Sequence, residues 1–305
     1  MDAYLSELMR YLVAQSGQIA VLTTVVAVAT FALRRRSAHV RYLFWLVVLA
    51  KCLVPPLYLV PVRVLPETMP ERVPPILSGA IWTDEHFHFP SPAANPLGRE
   101  PRESVLPPPV PQTSEPRLSV SGWLGILWIA GAGGYLMMNL LRALRGRLWL
   151  RRTRRPLPDD VLAEMADLLP VYGIRRLPRI WIVEGVGQPF VWGLLRGSIY
   201  VPAGFFAIES PQHRRDVLAH ELSHVLRFDP AVNTLQVVAQ ALFWFHPFVW
   251  WANRKIRQER EKACDEIAVA HLNARPKEYS ATIVSALIQA QESTRRVPSL
   301  AVAGP

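Results

Sequence analysis

A chain of 305 residues can hold one large domain or two small ones, but half of this one is hydrophobic and its mean hydropathy is +0.16, which is high for a protein wholly dissolved in water. The formal charge of +10 raises nucleic acid as a partner. The arginines, however, gather beside apolar runs in the pattern of membrane topology, so direct nucleic-acid binding is not expected. The two cysteines, Cys52 and Cys264, fall in an apolar run and a charged segment. That placement argues against both a disulfide framework and a cysteine-based zinc site.

Residues 1–12 set Tyr4, Leu5, Leu8 and Leu12 against polar neighbours, a short amphipathic segment. No basic region with a small-residue cleavage site precedes the apolar run Ile19 to Leu33, so a retained anchor is predicted, halted by Arg34-Arg35-Arg36. A second span is predicted from about Tyr42 to Val62. The connection between the two carries Arg34, Arg35, Arg36, His39 and Arg41, which places it in the cytoplasm and the N-terminus outside. Lys51, mid-span, either meets a polar partner in the bundle or snorkels. Residues 63–120 are proline-rich and aperiodic, an extracytoplasmic loop in which His86 and His88 lack acidic partners at ligand spacing. The third span, within 121–144, offers Gly125, Gly131, Gly133 and Gly134 as packing positions. It runs into arginines from Arg142 to Arg155, which put the following domain, 145–305, in the cytoplasm against anionic lipid.

From Pro158 the pattern becomes globular: a helix over Asp159–Leu169, a strand over Arg179–Val183, and a hairpin over Gln188–Pro202 turning at Leu195-Arg196-Gly197. Ser198, Ile199, Tyr200 and Val201 are candidates for a strand bordering an active-site cleft and pairing with an extended substrate. The alternative is a hairpin that merely covers the helices. A helix then opens at Ser210-Pro211 and carries His220-Glu221-Leu222-Ser223-His224. Histidines four apart on a helix present two imidazoles to one metal ion, and Glu221 stands where it can take a proton from water.

Catalytic zinc takes three protein ligands. No third histidine follows closely, since Arg227 and Pro230 occupy the places of an extended motif. Glu261 and Asp265 share one helical face, so one can bind the metal while the other holds a ligating imidazole. His246 and His271 compete without acidic partners at helical spacing. Glu261 lies 37 positions beyond His224, too few for the apolar stretch between them to cross a bilayer and return, which takes about 40 residues plus a turn. Residues 231–252 are therefore predicted as a re-entrant hairpin turning near Pro247.

Arg41 to Pro55, Gln188 to Pro202, His220 to Asp229, Phe245 to Trp250 and Glu259 to Asp265 together resemble the BlaR/MecR family of membrane-bound metallopeptidases, the β-lactam-sensing antirepressors. The resemblance implies one catalytic Zn²⁺ on His220, His224 and Glu261, with Glu221 as base and Asp265 behind the ligands. It also implies a mainly α membrane protein of the bacterial cytoplasmic membrane, with transmembrane helices followed by a cytoplasmic α+β gluzincin-like domain. The expected activity is cleavage of a protein substrate, either a transcriptional repressor or the chain's own loop near Arg295-Arg296. The alternatives are a quality-control peptidase of the heat-shock or prenyl-protein type and a non-catalytic signalling scaffold. No Ser-x-x-Lys acylation motif occurs in the sequence, so a fragment or a sensor-less homologue is expected. The oligomeric state is left open.

Overall fold

In the computed structural model, residues 2–55, 119–159, 162, 166, 168–194, 197–205 and 211–285 are described. The proline-rich segment with His86 and His88, most of the helix expected over Asp159–Leu169, the tip residues Leu195 and Arg196, the helix-opening Ser210 and the pair Arg295-Arg296 lie outside them.

Helix α1 (Asp2–Ala32) runs unbroken through what the sequence divides into an amphipathic segment and a span, because no proline interrupts it before the arginine cluster. Helix α2 (Ala38–Leu53) ends where Val54, preceding Pro55, turns extended at φ −98° and ψ 139°. The residues at which the predicted second span would continue to Val62 lie mostly outside those described. Helix α3 (Val120–Thr153) starts at Ser119, whose side chain accepts from the Gly122 N–H, and continues past the predicted end at Leu144. Arginine is a good helix former, so the basic run extends the helix instead of ending it. Among the described residues, two helices are long and apolar enough to cross a membrane, Tyr4–Ala32 and α3. On α1 the outward Val21, Val25, Val28 and Phe31 are well exposed, the side chains a lipid phase would cover.

Of the four glycines expected to pack, two have tight neighbours. A Cβ on Gly125 would lie 2.9 Å from the Leu5 side chain, and one on Gly131 would lie 2.5 Å from the Trp244 ring, while Gly133 and Gly134 face open space. Lys51 pairs within the bundle: its Nζ donates to Gln15 Oε1 at 2.9 Å, and Gln15 Nε2 donates back to the Lys51 and Val54 carbonyls at 2.6 and 2.8 Å.

The second half holds β1 (Arg155–Pro156), the short α4 (Leu168–Val171), β2 (Ile180–Val183), β3 (Phe190–Trp192), β4 (Ser198–Pro202), α5 (Pro211–Leu226), α6 (Asp229–Leu242), α7 (Pro247–Leu272) and a helical segment over 276–285, here α8. The strands form one mixed sheet in the order β1-β2-β4-β3. The predicted hairpin is present, with Phe190 opposite Tyr200 and Trp192 opposite Ser198. The strand also pairs in parallel with β2, Ile180 opposite Ile199 and Val183 opposite Pro202. Ser198, Ile199, Tyr200 and Val201 thus lie on an inner strand: Ile199 and Tyr200 have partners on both β2 and β3, Ser198 on β3 and Val201 on β2. β3 is the edge strand on that side.

Among the described residues two larger cores organise these elements, beside a smaller cluster of Leu150, Val183 and Tyr200. One packs α1 and α2 against α6 and the first half of α7, around Ile19, Trp45, Val48, Phe243 and Ile256. The other packs the sheet and α5 against the last turns of α7 and α8, around Ile199, Val201, Leu218, Leu222, Ala268 and Tyr279. α6 ends at Leu242 and α7 begins at Pro247 after the extended His246, and α7 spans both cores.

Candidate metal centre

The centre lies where the two cores meet. α5 buries Val217, Leu218, Ala219 and Leu222, which fixes its rotation. His220 and His224, one turn apart, therefore look toward α7 with ring centroids 4.9 Å apart. Their Nε2 atoms stand 3.2 Å from each other, and the Glu261 Oε2 atom is 3.6 Å from the first and 3.5 Å from the second. Atoms about 2.0–2.2 Å from one ion in tetrahedral array stand about 3.3–3.6 Å apart. The triangle therefore has the dimensions of three ligands around a zinc-sized ion, and its donors, two imidazoles and a carboxylate, are a zinc set. His246 and His271 are engaged elsewhere. The Nε2 of His246 lies 3.1 Å from the Ser16 carbonyl, and His271 stacks on Tyr172 with its Nδ1 on the Ile267 carbonyl.

Each histidine is held from behind by its own carboxylate. His220 Nδ1 lies 2.9 Å from Asp265 Oδ1, and the Tyr279 hydroxyl lies 3.3 Å from that nitrogen while donating to the same oxygen at 3.2 Å. His224 Nδ1 lies 2.8 Å from Oδ2 of Asp229, which is 2% exposed. The Cys264 thiol sits 3.4 Å from the same nitrogen. Such carboxylates fix the tautomer and direction of a ligating ring. Sequence reasoning named Asp265 but assigned no role to Asp229, Cys264 or Tyr279. The one available signal was an Asp placed directly after the histidine-bearing helix.

The charges agree with this geometry. Burial alone would push both imidazoles down, but Asp265 and Glu261 raise His220 to about 9, and Asp229, Cys264 and Glu261 raise His224 to about 12. Burial works to raise the Glu261 carboxyl, yet hydrogen bonds from both histidines hold it well below the usual carboxylate range. Glu221 is buried, and that burial pushes its carboxyl up against the opposing pull of His224 and His220. A carboxyl raised in this way accepts and returns a proton near neutral pH more readily than an exposed one.

Comparison with known proteins fits the same picture. The family described as BlaR1 peptidase M56 matches residues 7–303. The chain belongs to that family. It is 30% identical over 90 residues to the methicillin resistance mecR1 proteins of Staphylococcus aureus and Staphylococcus epidermidis, a segment covering 30% of this chain and 15% of theirs. It is likewise 30% identical over 80 residues to regulatory protein BlaR1 of Bacillus licheniformis, covering 26% of this chain and 13% of that protein. Metallopeptidase, membrane and signal-transduction character go with the family.

Proposed function

We propose that this chain is a membrane-embedded, zinc-dependent endopeptidase that cleaves a protein substrate at the cytoplasmic face, with a transcriptional repressor or its own C-terminal loop as the substrate. The observation that carries the reading is the coordination-sized triangle of two Nε2 atoms and one carboxylate oxygen, with a buried glutamate beside the first ligand. His220, His224 and Glu261 would hold one Zn²⁺. When bound, the ion supplies a Lewis acid for the scissile carbonyl and a lowered pKa for water.

The chain's own residues do the rest. Glu221 takes a proton from the attacking water and returns it to the leaving amine. Asp265 and Asp229 keep the two imidazoles aimed with Nε2 forward. The edge of β3, not β4, is where an extended substrate segment adds to the sheet. A gluzincin-like domain over 145–305, a membrane-dipping hairpin over 231–252 and an N-out topology with N-terminal spans in the cytoplasmic membrane complete the reading. The apolar outer faces of α1 and α3 and the basic α1–α2 connection support it. A non-catalytic scaffold would need ligands but no base, and Glu221 counts against it.

Glu221→Gln should keep stoichiometric zinc while lowering cleavage by roughly 10²–10⁴-fold. Comparing cleaved protein N-termini by mass spectrometry in cells carrying the wild-type or the variant chain reads this out and identifies the substrate. Unchanged cleavage, or purified chain without zinc, would sink the enzyme reading.

A further inference from the structure

We propose that Tyr42, on the first turns of α2, is a positioning residue for the metal ligand His224 and acts through Asp229. The inference rests on the metallopeptidase reading above and extends the centre to a helix of the N-terminal bundle, some 180 residues away in sequence.

Asp229 is nearly sealed from solvent, so its partners in the protein decide how its carboxylate is turned. Its two oxygens have separate tasks. Oδ2 is the atom behind His224 Nδ1, at 2.8 Å. Oδ1 accepts from the Tyr42 hydroxyl at 3.3 Å and lies 3.6 Å from Arg227 Nε. The Arg227 guanidinium lies over the Tyr42 ring, 4.4 Å from its centroid, and its Nη1 is 3.0 Å from His39 Nδ1. Tyr42 thus reaches the carboxylate directly through its hydroxyl and indirectly through the cation it carries on its ring.

The same connection is tied to the helix that bears the third ligand. The Ala38 N–H donates to both carboxylate oxygens of Glu266 at 2.9 Å, and Arg41 Nε pairs with Glu259 Oε2 at 2.7 Å, side chains 13% and 10% exposed. Glu259 and Glu266 bracket Glu261 and Asp265 on α7. The start of α2 therefore holds the acid behind His224 with one residue and braces the ligand-bearing helix with two others. A shift of α2 against α6 would reach the site as a turn of the Asp229 carboxylate. Without the hydroxyl, Oδ1 is left, among the described residues, with the long ion pair to Arg227; the carboxylate rotates, and His224 loses its fixed direction.

The test uses the full chain in detergent micelles, with zinc affinity read by chelator competition and ligand geometry by the visible spectrum of the Co²⁺-loaded protein. Tyr42→Phe keeps the ring beneath Arg227 and removes one oxygen. It should weaken zinc binding roughly tenfold or more and shift the Co²⁺ bands, with circular dichroism unchanged. Tyr135→Phe removes a comparable hydroxyl, the one donating to Gln240 at 3.1 Å, and should leave both readouts as in the wild type. Cleavage lost in Tyr42→Phe should return at saturating zinc. Wild-type affinity and spectrum in Tyr42→Phe would overturn this proposal alone, as would a loss shared equally by Tyr135→Phe and not restored by zinc. A wild-type chain that binds neither ion overturns the metal reading and this inference with it.

Discussion

His220 and His224 sit one turn apart on α5, yet they are braced from opposite sides of the molecule. His220 is held from the sheet side, by Asp265, which is 44% exposed, and by Tyr279 of the sheet core. His224 is held from the bundle side by the buried Asp229, which in turn touches α2. The lesson is a division of labour inside one histidine pair. Water can replace part of the support behind His220, whereas nothing but protein supports His224.

Removing the two acids in turn should separate the sides most strongly. Asp229→Asn should cost zinc affinity near the upper end of the roughly 10–100-fold range for such partners, and Asp265→Asn near the lower end. Chelator competition on both variants measures this. Equal losses would mean that burial behind a ligand does not set its worth here.

Protons give the next contrast. The carboxylates around His220 and His224 raise both imidazoles, so the metal-free pair holds protons at pH 7 that an ordinary imidazole pair would share with solvent, its Nε2 atoms only 3.2 Å apart. A zinc ligand must be neutral, so binding should release protons at pH 7 and fewer as the pH rises. Calorimetry in buffers of different ionisation enthalpy counts them, and no release at pH 7 would contradict the charges assigned to this pair. The sign for stability follows from the same shifts. Both groups are raised above the unfolded value of about 6.5, so their contribution to the metal-free fold is complete below that pH. It is lost as pH rises, first through about 9 on the His220 side and only toward 12 on the His224 side. The melting temperature of the metal-free chain should therefore fall between pH 7 and 10, while zinc affinity rises over the same interval.

What could be read from the sequence follows the same divide between local and distant. The spacing within H-E-x-x-H and between Glu261 and Asp265 is set by one helical turn, so it could be read without tertiary knowledge. The break at His246-Pro247 and the β3–β4 hairpin are equally local. Asp229 reaches His224 only because Phe228 adopts φ 58°, a left-handed conformation that no sequence rule assigns to phenylalanine. Tyr42 and Tyr279 reach the site through packing of whole helices, and periodicity carries no record of that. The inner place of β4 depends on its parallel pairing with β2, from which β3 separates it in sequence, a non-local choice that sequence alternation leaves open.

The smallest effect tests how each support is delivered. Both supports follow a left-handed residue: Phe228 caps the start of α6 and turns the chain to Asp229, and Asn273, at φ 49°, ends α7 and turns it to the helix bearing Tyr279. Asparagine suits that conformation and phenylalanine does not, the difference being about 1–2 kcal/mol per residue. The exposed Phe228 therefore holds strain on the side where support is least replaceable, which is common at functional sites. Phe228→Asn should stabilise the chain by about 1 kcal/mol, and Asn273→Ala should destabilise it by a similar amount, both read from denaturation midpoints with zinc absent. With zinc present, Phe228→Asn should leave affinity unchanged if the left-handed turn alone places Asp229. A drop in affinity would mean that the phenylalanine ring itself, and not only the turn, aims the carboxylate at His224.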